Sequence, residues 1–265
     1  MRKQRQKGFT LLELLIVITI IGILAGITII SYPGISQKAK LANAIKFSDN
    51  VRGSLQPDMV AWWKFDETLG TIAKDSWWNE FHGTVVGATW VEGIKGNALS
   101  FDGNDYVDFG TDSCLTPQSA TIEVWIKPSA FSQWAGIISN MTAWGTGLSL
   151  QIGTVHNISA MVSGTYLSTS WSPQLETWYH ILITHNNSNN LNILYVNGKE
   201  ENRSIRAVNY EANAKTYIGV FYTTPSLYFR GLIDDVQIYS AALPLSMIQQ
   251  HYAEGLKTHQ NLAKR

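Results

Sequence analysis

The 265-residue chain has a single cysteine, Cys114, so no disulfide can close within it and no cysteine-based zinc site is available. Charge is sparse as well. Asp, Glu, Lys and Arg supply 15% of the residues against a usual share of about 25%, while the hydrophobic share of 45% is ordinary, so small polar residues stand where charges normally do. That apolar content excludes a wholly disordered chain. Twenty basic and twenty acidic side chains cancel, and no basic stripe recurs after the first eight residues, so nothing draws the chain to nucleic acid. Catalytic signatures are missing too. G-x-S-x-G, H-E-x-x-H, G-x-x-x-x-G-K and the dinucleotide glycine pattern do not occur, and the six histidines are scattered singly.

What is present begins at the N-terminus. Arg2, Lys3, Arg5 and Lys7 form a cationic head, and residues 9–30 then run with one charge, Glu13. As a helix this segment covers about 33 Å, enough for a hydrocarbon core of about 30 Å, with the basic head kept cytoplasmic. A secretory signal peptide has a shorter apolar core and no reason to carry a carboxylate inside it. Near the bilayer centre that carboxylate costs about 2.5–3.5 kcal/mol unless it is neutralised or paired.

The run Lys7-Gly8-Phe9-Thr10-Leu11-Leu12-Glu13-Leu14-Leu15-Ile16-Val17 resembles the N-terminal signal of type IV pilins and pseudopilins. The resemblance implies a leader, residues 1–8, removed by a prepilin peptidase that cuts between Gly8 and Phe9 and methylates Phe9. It also maps the family's glutamate onto Glu13. The chemistry agrees with this. Cleavage removes four of the twenty basic side chains, leaves acidic ones in excess by four, and creates an α-amino group one helical turn from Glu13. In a bundle of parallel helices a neighbour's amine can meet Glu13, which makes the pair an assembly and register device.

Gly22 and Gly26 allow close helix approach as readily as they reflect the glycine content of membrane helices. Tyr32-Pro33-Gly34 predicts a kink, and beyond it Leu41, Ile45, Val51 and Leu55 continue the helical spacing until Gly53, Ser54 and Pro57 stop it. A helix over 9–56 is about 70 Å long, more than an anchor needs.

After Pro57 short alternating segments separated by Gly, Asn, Asp and Ser predict an all-β sandwich over 57–255. Expected strands cover 60–65, 84–86, 98–101, 106–109, 121–127, 136–139, 148–152, 159–162, 178–184, 192–196, 216–220 and 231–239. Asn197-Gly198 predicts a type I′ hairpin. Pro244 opens a short closing helix over 245–252, and 256–265 reads as a frayed tail.

In order along the chain, Ala61-Trp62-Trp63-Lys64-Phe65-Asp66-Glu67, Asp75-Ser76, His82-Gly83-Thr84, Ala98 to Gly103, Trp178-Tyr179-His180, Leu194 to Gly198 and Gly231 to Tyr239 resemble laminin-G-like, concanavalin A-like jelly rolls. The resemblance implies a calcium-tolerant binding or spacer domain and fixes no ligand.

Strand period places Leu232, Asp234, Val236 and Ile238 on one face, which sets the Asp234 carboxylate among apolar neighbours. Two partners satisfy it: a calcium ion shared with Asp75 and Asn79, or backbone amides without metal. Trp77, Trp78, Glu80 and Phe81 fill a loop that the family builds from small residues. Of the adjacent Trp77 and Trp78 only one easily faces inward; the other is either a stacking platform for a carbohydrate or partner protein, or a cover for the sandwich edge. Asp102-Gly103-Asn104-Asp105 reads as a turn. Glu123 stands without the second carboxylate that glycoside hydrolysis needs, so the expectation is a non-enzyme.

The expected protein is a pilin: a membrane precursor, then a homopolymer joined through its N-terminal helices by the pilus assembly machinery, displaying the jelly roll on an extracellular filament for adhesion to a carbohydrate or host surface. The alternatives are a pseudopilin of a type II secretion or competence apparatus, and a membrane-tethered lectin that does not polymerise.

Overall fold

The computed structural model describes residues 58–141, 143, 145–211, 213–221 and 227–262. The cleavage site, Glu13 and the expected helix over 9–56 lie outside these residues. The chain divides into two units between Pro57 and Asp58, where the composition changes. Among the described residues no helix is long and apolar enough to cross a membrane.

Sixteen strands are described: β1 (Met59–Trp63), β2 (Ile72–Ala73), β3 (Gly83–Val86), β4 (Thr89–Glu92), β5 (Asn97–Asp102), β6 (Tyr106–Asp108), β7 (Ala120–Pro128), β8 (Ala135–Asn140), β9 (Leu148–Ile152), β10 (Ile158–Val162), β11 (Thr165–Ser168), β12 (Tyr179–Asn186), β13 (Leu191–Val196), β14 (Lys199–Ile205), β15 (Thr216–Ile218) and β16 (Arg230–Tyr239). They form two eight-stranded sheets. The first runs β14-β13-β12-β7-β16-β5-β4 with β1 also paired to β16, and the second runs β11-β10-β9-β8-β15-β6-β3-β2. All twelve expected strands are present.

The core lies between the sheets. Alternate residues of the central strands face it: Ile122, Val124 and Ile126 from β7, Ile181 and Ile183 from β12, and Leu148, Leu150 and Ile152 from β9. Trp63 is fully buried, packs at a tilt against Phe109 with ring centroids 4.1 Å apart, and donates its indole N–H to the Phe81 carbonyl at 2.6 Å. The hairpin joining β13 to β14 turns at Asn197 (φ 52°) and Gly198 (φ 73°), the positive pair that a type I′ turn requires.

The closing helix is longer than expected. Helix α1 runs Leu245–Leu262, through most of the stretch read as a frayed tail. It lies on the outer side of the first sheet, where Ile248 joins Trp62, Leu182, Tyr195, Tyr239 and Leu243 in a second apolar cluster. That cover explains why β7 is buried on both faces, from Ala120 almost throughout to Pro128.

After β15, residues 219–221 pair with residues 227–229, which also lie beside Gly136 of β8. Val220 bridges Tyr228, and the Gly136 N–H donates to the Leu227 carbonyl at 3.0 Å. A Cβ on Gly136 would lie 2.1 Å from the Phe221 amide nitrogen and 2.3 Å from the Val220 carbonyl carbon, both backbone atoms that cannot swing aside. Gly136→Ala is therefore expected to destabilise the sandwich by about 3 kcal/mol, read in urea unfolding followed by tryptophan fluorescence; an unchanged midpoint contradicts this packing.

Candidate functional site

Asp75 organises the loop that follows β2. It is 2% exposed, and its carboxylate accepts four backbone N–H groups: Trp62 (3.1 Å) and Trp77 (2.9 Å) on Oδ1, Trp78 (3.2 Å) and Glu80 (3.3 Å) on Oδ2. The Asp75 N–H donates to His82 Nδ1, and Asn79 takes a left-handed conformation, φ 61°. The bulky loop thus closes around one anion, with its tryptophans directed by the backbone. Asp75→Ala orphans these donors and is expected to cost about 2–3 kcal/mol in urea unfolding, with Asp75→Asn recovering part of it.

Trp77 turns inward against the Trp62 and Tyr239 cluster, while Trp78 is 61% exposed, its ring 6.0 Å from that of Trp77 and nearly perpendicular to it. The two adjacent rings divide between core and solvent.

Asp234 sits elsewhere. Its Oδ2 accepts the N–H groups of Ile94 (2.9 Å) and Lys95 (3.3 Å), while Oδ1 is buried without a partner. The structure therefore gives Asp75 and Asp234 separate loops to hold, and no described hydrogen bond joins either to Asn79. Burial, then the charge of neighbouring Asp235, pushes the Asp234 carboxyl well above the usual carboxylate range.

The expected common face for Leu232, Asp234, Val236 and Ile238 does not occur. The β16 register shifts between Asp234 and Gln237, and Asp235 adopts φ 50°. This extra residue reverses the alternation: Ile233, Val236 and Ile238 face the core, whereas Asp234 pairs across from Trp125 on the outer face. Asp234 is nonetheless 0% exposed, because the loop after β4 covers it. Gly93 makes that approach possible, since a Cβ there would lie 2.4 Å from Asp234 Oδ2.

The outer face of the first sheet also gathers charges that the sequence scattered. Glu123, 1% exposed, receives His180 Nε2 at 2.6 Å on Oε1 and His251 Nδ1 of α1 at 2.9 Å on Oε2. Burial raises the Glu123 pKa, but the charge and hydrogen bond of His180, then those of His251, outweigh it and hold the carboxyl at about 2. For His251 burial acts downward, and the Glu123 hydrogen bond and charge reverse it to a raised pKa. Trp125 lies against the rings of both His180 (4.9 Å) and Tyr252 (5.9 Å). The Trp62 indole N–H donates to Asp235 Oδ1, and Lys64 Nζ lies 4.2 Å from the Trp62 ring centroid.

Sequence reasoning treated Glu123 and the histidines as isolated. The only local signal was the alternation that put Glu123, Trp125 and His180 on outward positions of strands that proved adjacent. Buried under α1, this carboxylate fastens the helix through His251. Among the described residues no three His, Cys, Asp or Glu side chains converge as a metal site.

Residues 101–249 match the family model described as the concanavalin A-like lectin/glucanases superfamily, and residues 3–29 match the prokaryotic N-terminal methylation motif. The chain is 33% identical over 96 residues to fimbrial protein EcpC of Eikenella corrodens, covering 36% of this chain and 63% of that protein. It is 34% identical over 73 residues to the type IV major pilin protein PilE of Neisseria gonorrhoeae, covering 27% and 44%. The chain thus matches less than two thirds of the length of these curated relatives. Domain 4 of AbnA, a GH43 extracellular arabinanase from Geobacillus stearothermophilus solved in complex with arabinotriose, superposes with a TM-score of 0.60 at 22% identity, covering 73% of this chain and 97% of that one. Trypanosoma rangeli sialidase gives 0.59 at 15% identity, covering 74% and 33%. These likenesses establish the fold.

Proposed function

Because the chain belongs to the concanavalin A-like lectin/glucanases superfamily and carries the prokaryotic N-terminal methylation motif, we propose that it is a pilin-type subunit that displays a jelly-roll head on a surface filament for adhesion. The observation that supports this reading is the match of residues 3–29, which hold Gly8, Phe9 and Glu13, to the N-terminal methylation motif ahead of a folded head. Likeness to EcpC and PilE supports it. The precursor is held in the cytoplasmic membrane, the prepilin peptidase releases residues 1–8, and the trimmed helices polymerise through the pilus assembly machinery. The head is a non-enzyme in this reading: Glu123, its best-placed buried carboxylate, is committed to two histidines beneath a helix.

The test is N-terminal sequencing of fibres sheared from cells. N-methylated Phe9 in a dominant band identifies a major pilin, and in a trace band a minor subunit. Processed chain with no fibres favours a pseudopilin, and an intact Met1 leaves a membrane-tethered lectin.

Calcium at Asp75, Asn79 and Asp234 is a separate proposal. The unpartnered Asp234 Oδ1 supports it, but the donor set fits poorly, since Asp75 already spends both oxygens on backbone N–H groups. A bound ion requires a higher melting temperature in excess calcium than in chelator; equal melting retires it. Ligand contact by Trp78, backed by Trp77, rests on the exposure of the Trp78 ring; Trp78→Ala is expected to weaken oligosaccharide binding by the full-length protein in saturation-transfer NMR, and unchanged binding retires it.

A further inference from the structure

The end of the sandwich opposite Asp58 carries apolar side chains that none of the sequence motifs marked. The Asp58 carbonyl accepts the Ser240 N–H just past β16, so the head is entered at the end where β7 begins and β16 finishes. The loops after β7, β9 and β11 gather at the other end. They are laced together: Ser172 Oγ donates to the Val155 carbonyl at 3.0 Å and Gln133 Nε2 to the Thr154 carbonyl at 3.0 Å. The Phe131 and His156 rings stack at 5.1 Å, and the Glu176 N–H returns to the Pro128 carbonyl at 2.8 Å. Val155 is 68% exposed and Leu175 43%, each at mid-loop, while Phe131, His156 and Trp171 are partly exposed beside them. Glu201 fixes Trp171 from behind by accepting its indole N–H at 2.9 Å.

Charge is nearly missing from this end. Residues 129–134, 153–157 and 169–178 hold one Asp, Glu, Lys or Arg between them, Glu176, and Lys127 Nζ pairs with it at 3.5 Å. Complementary charge usually steers a protein partner and sets its register, and the one charge offered here is already paired. The surface of a bilayer asks for something else: apolar side chains that reach the acyl boundary and aromatic rings that sit at the polar interface. We propose that this loop end inserts into the surface of a phosphatidylcholine bilayer, so that the displayed head adheres to lipid. Val155 and Leu175 enter first, with the Phe131–His156 stack and Trp171 at headgroup depth. The hydrogen bonds between the loops hold these side chains in place before contact, so little order is lost on insertion. A single head binds weakly because the inserted area is small, and a row of heads on one filament adds their contacts.

The inference rests on the reading of this chain as a displayed head, and it is tested apart from fibre assembly. Full-length protein in nanodiscs is mixed with sucrose-loaded phosphatidylcholine vesicles, and co-sedimentation is measured against lipid concentration, with empty nanodiscs as the baseline. Binding is expected at millimolar lipid, unchanged by about 0.5 M salt or by added phosphatidylglycerol. Val155→Asp and Leu175→Asp should each weaken it about tenfold, and Val155→Trp should strengthen it about tenfold. Ile205→Asp, at an 80% exposed position opposite Leu191 at the other end of the sheet, should leave it unchanged. Urea midpoints of all four variants should stay at the wild-type value, which separates a blunted loop end from an unfolded head. Sedimentation no greater than that of empty nanodiscs overturns the proposal, as does binding that requires phosphatidylglycerol, ignores the two loop aspartates or is lost in Ile205→Asp. Attachment to cell membranes that protease treatment abolishes also overturns it, by assigning the loop end to a protein partner. Processed, fibre-forming subunits that bind no vesicle overturn the lipid contact and leave the pilin reading standing; vesicle binding through Val155 and Leu175 by a chain that keeps Met1 does the reverse.

Discussion

Glu123→Leu is expected to destabilise the jelly-roll head by about 3–5 kcal/mol, enough to consume a large part of the stability of an ordinary domain. The size follows from what is left behind. His180 and His251 would lose their common acceptor inside a layer that also holds the buried Trp125. Glu123→Gln keeps the shape and removes the charge. The carboxyl moves from an ordinary 4.5 to about 2, which is worth about 3 kcal/mol, the loss expected for the glutamine variant. The signs also set a pH profile. Glu123 has a depressed pKa, so its contribution is complete above 4.5 and fades as pH falls toward about 2. His251 has a raised pKa, so its contribution is complete below 6.5 and fades as pH rises through the folded value. Urea midpoints of the wild type should therefore decline below pH 4.5 and again above pH 6.5, and the acid limb should flatten in Glu123→Gln. A glutamine variant with the wild-type midpoint and acid limb would show that the histidines and the carboxylate are not coupled.

That layer also marks where reading from sequence stops. Strands such as Leu148–Ile152 and Ala120–Pro128 are legible because dense β-branched and aliphatic residues bounded by turns leave little alternative. Four strands were missed for physical reasons. Strand β14, Lys-Glu-Glu-Asn-Arg-Ser-Ile, is an edge with neither face fully covered and so shows no alternation, while β2, β4 and β11 have only two to four residues. Asp234 was placed on the wrong face because counting by twos cannot register the extra residue at Asp235. Glu123 meets partners 57 and 128 positions away, a juxtaposition decided by sheet order and by the helix that closes it. The N-terminal signal, in contrast, is a continuous run of residues, and it matches a family model over 3–29.

Glu13→Ala carries the other large expected effect, and it falls on assembly. In the proposed pathway trimming is directed at Gly8-Phe9, so the variant should still yield N-methylated Phe9. What it lacks is the acid that a neighbour's new ammonium would neutralise as two helices come together in an apolar bundle. A lone carboxylate costs about 2.5–3.5 kcal/mol in that setting, and a lone ammonium in the variant bears a comparable penalty with nothing to relieve it. Spread over one contact, this is about a hundredfold in the equilibrium for adding a subunit. Sheared-fibre yield should therefore fall at least that far while membrane-bound processed subunit accumulates. The pairing makes a second demand. Gly8→Leu, by preventing the cut, keeps the amine from forming and should abolish fibres with Glu13 intact, whereas Glu13→Asp, which keeps the charge on a shorter arm, should restore part of the yield lost in the alanine variant. Normal fibres from Glu13→Ala, or equal failure of the aspartate and alanine variants, would remove the charge pair as the step that couples trimming to polymerisation.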